Sequence, residues 1–266
     1  MGEQTFRDRE EDFRLVVGSF AHAARYASRY DHLCPSCSGL KSEKYKECFT
    51  CISLQKQALQ LNGGLADATY FGFYAVKGTQ MYRTMFQYKI PRMNDVRIVA
   101  SILEDTFITH YDDFIQEMGE SPTAWATIPS QTDSRRYGRP HPLRIIAKSI
   151  FSQIGIPEVI LECDSAKSDY SGNRRGYSPD IFHVSGGVDE TNGHVLLIDD
   201  SWTTGHSIQS AAGALKQSGI QRVTAFCIAR IIDGEYWEKQ LGSEVFSVFS
   251  NLPFEPHNPW KRKKEY

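Results

Sequence analysis

Two short stretches of this sequence hold residue types in an order that could do chemistry. The first runs from Val195 to Ala212 and reads VLLIDDSWTTGHSIQSAA. Its four leading apolar residues end in Asp199 and Asp200, so a buried strand delivers two carboxylates at its carboxyl end, the edge where open α/β sheets bind ligands. Thr203, Thr204, Gly205, His206 and Ser207 come next and lead into a helical pattern, which brings hydroxyls and the unpaired amides of a helix N-terminus to one point. Gly205 lets the backbone approach a phosphate closely, and the hydroxyls donate to its oxygens. Carboxylates beside such a cradle suit a sugar phosphate, with the acids on the ribose hydroxyls. Either piece alone is an ordinary strand end or an ordinary helix cap; the order of the two points to a ligand.

The second stretch is Cys34, Cys37, Cys48 and Cys51, spaced C-x2-C-x10-C-x2-C. Each pair is a knuckle that presents two thiolates to one metal, and four thiolates complete a tetrahedral Zn²⁺ site with no open position. Such a site is structural. Cys163 and Cys227 fall in predicted strands and read as buried thiols, not ligands. A third feature is electrostatic: from Ser134 to Pro157 there are basic residues at Arg135, Arg136, Arg139, Arg144 and Lys148 and no acid. Arg144 and Lys148 read as the solvated face of a helix; Arg135, Arg136 and Arg139 read either as the same kind of face or as paired donors able to grip phosphate oxygens.

The elements that must position these residues follow from the apolar pattern. Phe13, Val16, Val17, Phe20, Ala24 and Ala27 predict a helix within residues 8–30. ATYFGFYAVK predicts a strand over 68–77 that turns at Lys77-Gly78, followed by a helix through Met81, Met85 and Phe86. Asn94 reads as the N-cap of a long helix that ends at Gly119. Strands at 124–129, 158–163, 181–184, 194–199 and 222–230 alternate with helices at 142–151 and up to Ser218, the pattern of a parallel sheet. Residues 164–180 read as an exposed loop. The division expected is 1–67 for a helix and cysteine module and 68–266 for an α/β domain.

Composition narrows the function classes. The 266 residues carry 30 basic and 32 acidic side chains, a net charge of −2, so no global field drives the molecule onto nucleic acid or a membrane. An apolar fraction of 41% is enough for a core. No eighteen-residue apolar run is present, and the N-terminus, MGEQTFRDREEDFRL, is charged where a signal peptide is apolar. The expectation is a soluble cytoplasmic protein with no membrane span.

Val195 to Ser207 resembles the phosphoribosyl pyrophosphate motif of type I phosphoribosyltransferases, with Trp202 at a usually aliphatic position and Thr203 where purine salvage enzymes carry aspartate. With the cysteine quartet ahead of it, the chain resembles the ComF family of competence-associated proteins. The resemblance implies an α/β fold of the type I phosphoribosyltransferase kind, with a parallel sheet and an N-terminal helical and zinc-knuckle module. It implies phosphoribosyl pyrophosphate bound with Mg²⁺ and transfer of ribosyl phosphate to a nitrogen nucleophile that no segment identifies. Asp199 and Asp200 would lie on the ribose, Thr203 to Ser207 around the 5′-phosphate, and Ser130 in the pyrophosphate loop. Lys89 would stand at a helix end, and Arg174 and Arg175 on a flap that closes over the site. The alternative implied is a non-catalytic single-stranded-DNA factor in DNA uptake, with Tyr26, Tyr30, Tyr45, Phe49, Tyr70, Phe71, Phe73 and Tyr74 to stack on bases and Lys41, Lys44, Lys46 and Lys77 to steer.

Overall fold

The computed structural model describes residues 3–18, 20–24, 30–90, 92–130, 140–164, 176–186, 193–250 and 258–260. The longest apolar runs form the middle of the sheet. β2 (Ala68–Val76), β6 (His194–Trp202) and β7 (Arg222–Ile232) are buried along nearly their whole length, as strands covered on both faces must be. Together with β3 (Ala124–Thr127) they run parallel, and β1 (His22–Ala23) adds an antiparallel edge, giving the order β1-β2-β7-β6-β3. The chain is therefore α/β with a mostly parallel central sheet.

Helices cover both faces. The crossover from β2 to β3 crosses the sheet in the opposite direction to that from β6 to β7, so right-handed connections put their helices on opposite sides. One layer holds α1 (Glu3–Val17), α4 (Met93–Glu104) and α6 (Pro142–Ile154), with α3 (Gln80–Gln87) packed beside α4. The other holds α7 (His206–Gln217), against which α2 (Phe49–Gln60) packs. Two final helices, α8 (Gly234–Leu241) and α9 (Ser243–Ser250), set Trp237 and Phe249 edge-on to Tyr74.

Four expectations need correction. The first helix ends at Val17, and His22 and Ala23 pair instead with Tyr74 and Phe73; Phe13, Val17, Ala21 and Ala24 are buried all the same, because helix and edge strand face one core. The long helix starts after Arg92 in extended backbone, not at an Asn94 cap, and is broken by a π turn over Asp105–Thr109 before α5 (Tyr111–Met118). A π turn leaves a carbonyl out of the α ladder. Here the Trp260 indole, fully buried among Phe107, Phe114 and Phe226, donates to the Thr106 carbonyl at 3.1 Å. The strand at 158–163 touches β3 only at its start, where Val159 N–H donates to Trp125 O at 2.8 Å. Its remainder, β4 (Ile160–Cys163), pairs antiparallel with β5 (Phe182–Gly186), as alternating strands with one wet face do. Finally, the end of the 164–180 segment is packed, not exposed. Tyr177 is 3% exposed, with its N–H on Gln57 Oε1 at 2.7 Å and its hydroxyl on the Gly64 carbonyl at 2.8 Å.

Among the described residues, no helix is long and apolar enough to cross a membrane.

Candidate functional site

β6 runs on past its acids to Trp202, beyond the end at Asp199 that the sequence predicts, and the turn that follows is built around one close contact. Gly205 has φ +83°, and a Cβ there would stand 2.1 Å from Cζ2 of Trp202. Trp202 is 2% exposed and meets Phe71 edge-on at 5.4 Å, so the turn rests on a fixed indole ring. This is why a bulky aromatic is tolerated at position 202: the glycine leaves it room. α7 starts at His206, and Gln209 N–H closes its first turn on the Gly205 carbonyl at 3.0 Å. Thr204 Oγ1 lies 2.9 Å from His206 Nδ1, and burial lowers the His206 pKa.

A cavity of about 410 Å³ opens above this turn. It is lined by Asp199, Asp200, Thr203, Thr204, Gly205, His206, Ser207 and Ser130, so the structure brings these expected residues together. A neighbouring cavity of about 330 Å³ shares Pro129, Ser130 and His141 with it and runs along β4 past the Arg144–Glu158 ion pair. Arg144 is thus committed to Glu158.

The two adjacent carboxylates are in opposite electrostatic states. Asp200 is 4% exposed. Its Oδ2 accepts from the Tyr88 hydroxyl at 2.6 Å and pairs with Lys89 Nζ at 2.6 Å, and its Oδ1 accepts from Ser201 Oγ at 2.7 Å. Burial works to raise its pKa, but Lys89, Tyr88 and His141 outweigh it and hold the carboxyl below its usual range. Among the described residues Asp199 makes no ion pair, and Lys89 offsets its environment only in part. Burial, then the neighbouring Asp200 charge, push its carboxyl up to about 7. Asp200 N–H donates to Asp199 Oδ1 at 2.8 Å, which ties the orientation of one acid to the other.

Two groups at this site escaped the reading of the sequence. His141 caps α6: its Nδ1 accepts from Leu143 N–H at 3.2 Å, so its proton sits on Nε2, which lies 3.9 Å from Asp200 Oδ2. The His141-Pro142 pair carried that signal, a capping side chain followed by proline at the first helical position. Tyr88, 1% exposed, reaches Asp200 from the end of α3, 112 residues away in sequence, and no local pattern announces it.

The cysteines converge as their spacing requires. Ligand atoms of Cys34, Cys37, Cys48 and Cys51 all lie within 4.8 Å of one another, and Cys37 Sγ is 3.6 Å from Cys48 Sγ. Thiolates bound tetrahedrally at about 2.3 Å sit about 3.8 Å apart, so the donor set could hold a metal such as zinc. The first knuckle is tied by Ser38 N–H to Cys34 O at 2.9 Å and Cys34 N–H to Gly39 O at 2.7 Å, and Cys48 N–H donates to Cys34 Sγ at 3.3 Å. Hydrogen bonding with Cys34 draws the Cys37 thiol down to about 7 and pushes the Cys51 thiol up. Four sulfurs in one space cannot all ionise without a cation between them. Cys227 is fully buried in β7 and outside the cluster, while Cys163 is half-buried in β4 and likewise outside it.

Arg135, Arg136, Arg139, Arg174, Arg175 and Tyr26 lie outside the described residues. Of the aromatics expected to stack on bases, Tyr70, Phe71, Phe73 and Tyr74 are core residues at 0–2% exposure, whereas Tyr45 and Phe49 stand out at 61% and 87%. Strand aromatics are more often core than stacking surfaces, and these four are core.

No family model and no curated protein matches the chain. Among solved structures, it is similar to the adenine phosphoribosyltransferase of Leishmania tarentolae, with a TM-score of 0.34 and 13% identity over 65% of this chain and 87% of that one.

Proposed function

We propose that the cavity at the end of β6 binds the ribose 5-phosphate part of phosphoribosyl pyrophosphate, and that the chain is a phosphoribosyltransferase passing ribosyl phosphate to a nitrogen nucleophile. The observation that carries this reading is the junction at Gly205: a desolvated acid pair, two threonines, a serine and the open amides of α7 face one cavity of about 410 Å³. The 5′-phosphate takes the amides and hydroxyls of Thr203 to Ser207, and Asp199 accepts from the ribose hydroxyls. An acid raised to about 7 by burial beside the Asp200 charge also fits Mg²⁺, and Asp199 is the residue we assign to it. When bound, Mg²⁺ spreads the charge of the leaving pyrophosphate. Asp200 stays ionised under Lys89 and Tyr88, so its negative charge faces the ribosyl cation that develops as the C1–oxygen bond breaks. In this reading Ser130 and Arg135, Arg136 and Arg139 hold the pyrophosphate, and Arg174 and Arg175 close over it. The Cys34, Cys37, Cys48 and Cys51 cluster holds structural Zn²⁺, and residues 1–67 serve the ligand-holding 68–266.

The test is a screen of nitrogen bases for pyrophosphate release from labelled phosphoribosyl pyrophosphate. Base-dependent release supports the enzyme. The rival, a ComF-like single-strand factor in DNA uptake that reuses the sugar-phosphate site, keeps one supporting feature: exposed Tyr45 and Phe49 lie on the same segment as exposed Lys44 and Lys46. Salt-sensitive binding of single strands with no pyrophosphate release would favour it.

A further inference from the structure

The cysteine cluster and the phosphate turn meet in one side chain. Arg230 stands near the carboxyl end of β7, paired in register with Trp202 of β6 on one side and Tyr74 of β2 on the other. Its Nε donates to the Cys37 carbonyl at 2.8 Å, and its Nη2 lies 4.0 Å from Cys37 Sγ. Its Nη1 donates to the carbonyls of Trp202 at 3.2 Å and Thr203 at 3.1 Å, the residues that lead into Gly205. Tyr74 supplies a second strut, its hydroxyl donating to the Ser38 carbonyl at 3.0 Å. The fit is close: a Cβ on Gly39 would stand 2.4 Å from Arg230 Nη2.

Charge explains why an arginine is needed there. Among the described residues, every partner of Arg230 is a backbone carbonyl or the Cys37 sulfur, and none is a carboxylate. Four thiolates around one divalent cation carry a net negative charge, which a guanidinium beside Cys37 offsets. A planar fork also spans two sites at once, as an ammonium cannot.

We propose that Arg230 is a positioning residue that couples the four-cysteine cluster to the phosphate turn, so that loss of the metal loosens residues 203–207 and weakens their grip on a phosphate. This rests on the reading of that turn as an anion site. The experiment is amide hydrogen exchange on the full chain, zinc-loaded and after chelation, for wild type, Arg230→Ala and Arg230→Lys, with zinc content measured for each. Chelation of wild type should raise exchange at 34–51 and 203–207 while amides of 195–198 and 223–228 stay protected. Both variants, zinc-loaded, should already exchange fast at 203–207 and respond no further; the lysine variant keeps the charge and loses the span. A wild-type turn that ignores chelation, or a rise spread through the core strands, overturns the coupling, and neither result depends on a variant folding. Ribose 5-phosphate titrated into the same samples separates the two readings. An affinity about tenfold lower after chelation, roughly the worth of one charge-assisted hydrogen bond, supports the coupling. No binding by zinc-loaded wild type sinks the sugar-phosphate reading, and the exchange data still decide whether Arg230 couples the two parts.

Discussion

Replacing Gly205 by alanine tests whether the turn from β6 into α7 is set by its contact with Trp202. Two costs add. A left-handed backbone at φ +83° is disfavoured for an L-residue by about 1 to 2 kcal/mol. The new methyl would also stand 2.1 Å from a fully packed indole, and overpacking of this kind costs about 1 to 3 kcal/mol more. The sum is about 2 to 5 kcal/mol. Gly219 isolates the second part, because at φ +94° it carries the same backbone cost with nothing within 4 Å of its Cβ. Urea unfolding followed by circular dichroism should therefore show Gly205→Ala to be worse than Gly219→Ala by the overpacking cost alone. Trp202→Leu in the Gly205→Ala background should recover part of that difference, a favourable coupling of about 0.5 to 3 kcal/mol in a double-mutant cycle. If the two glycine variants lose equal stability, or if Trp202→Leu merely adds its own cost, the indole does not shape the turn and the reasoning fails.

Four other outcomes follow from the same geometry. Purified protein should contain about one zinc per chain and Cys48→Ser should release it, since three thiolates leave the tetrahedral set open; elemental analysis that finds no zinc or iron counts against the cluster. The Asp199 carboxyl, raised to about 7 from an ordinary 3.8, contributes stability that is full below its unfolded pKa and lost as pH rises through the folded one. Asp199→Asn should flatten that decline, seen as urea midpoints between about pH 4 and about pH 8, and an unaltered slope would refute the assignment. Thr204→Ala should weaken both ribose 5-phosphate and phosphoribosyl pyrophosphate by about 1 to 3 kcal/mol in calorimetry, and equal affinities would remove Thr204 from the site. Replacing Arg135, Arg136 and Arg139 together by alanine should cost phosphoribosyl pyrophosphate at least about 1.5 to 3 kcal/mol while sparing ribose 5-phosphate, and no loss would make the segment a solvated face.

What the sequence made legible was local. The β6 strand, its two acids and the Gly205 turn occupy consecutive residues, so one pattern of apolar run, carboxylates, hydroxyls and glycine exposes them all. The cysteine cluster is legible for the same reason, as two knuckles of fixed spacing. Partners that arrive from elsewhere leave no such trace. Tyr88 reaches Asp200 from the end of α3 and His141 from the start of α6, each chosen by tertiary packing, whereas Lys89 beside Tyr88 is legible only through the family resemblance. Periodicity misled where two structures satisfy one core: the stripe from Phe13 to Ala24 is buried whether its second half is helix or edge strand. It also hid the π turn, because Phe107 and Phe114 keep their apolar face while the ladder between them opens for Trp260. β4 was misplaced for a different reason. Its short apolar run reads like a sheet strand, and only the alternation in β5 shows that the two form a ribbon with a wet face.

The carboxyl edge of the sheet explains why a cysteine module and a ligand cavity occur in one chain. A parallel sheet ends in carbonyls and strand-end side chains that need partners, and here neighbouring strands present Tyr74, Arg230 and Trp202 side by side. Tyr74 and Arg230 are satisfied by the first knuckle, Arg230 and Trp202 by the turn into α7. Bonds around residue 67 tie the two parts elsewhere, along α7 and at the opposite, amino edge of the sheet: Gln209 Oε1 accepts from Ala66 N–H at 2.8 Å, and Asp67 Oδ2 accepts from Val223 N–H at 2.8 Å. A knuckle held rigid by a metal would present fixed acceptors to the sheet edge, whereas a loose one would leave Arg230 only its bonds to the carbonyls of Trp202, Thr203 and Ile231. Through Arg230 the first cysteine knuckle braces the turn at Gly205, because one guanidinium holds the Cys37 carbonyl and the carbonyls of Trp202 and Thr203 together.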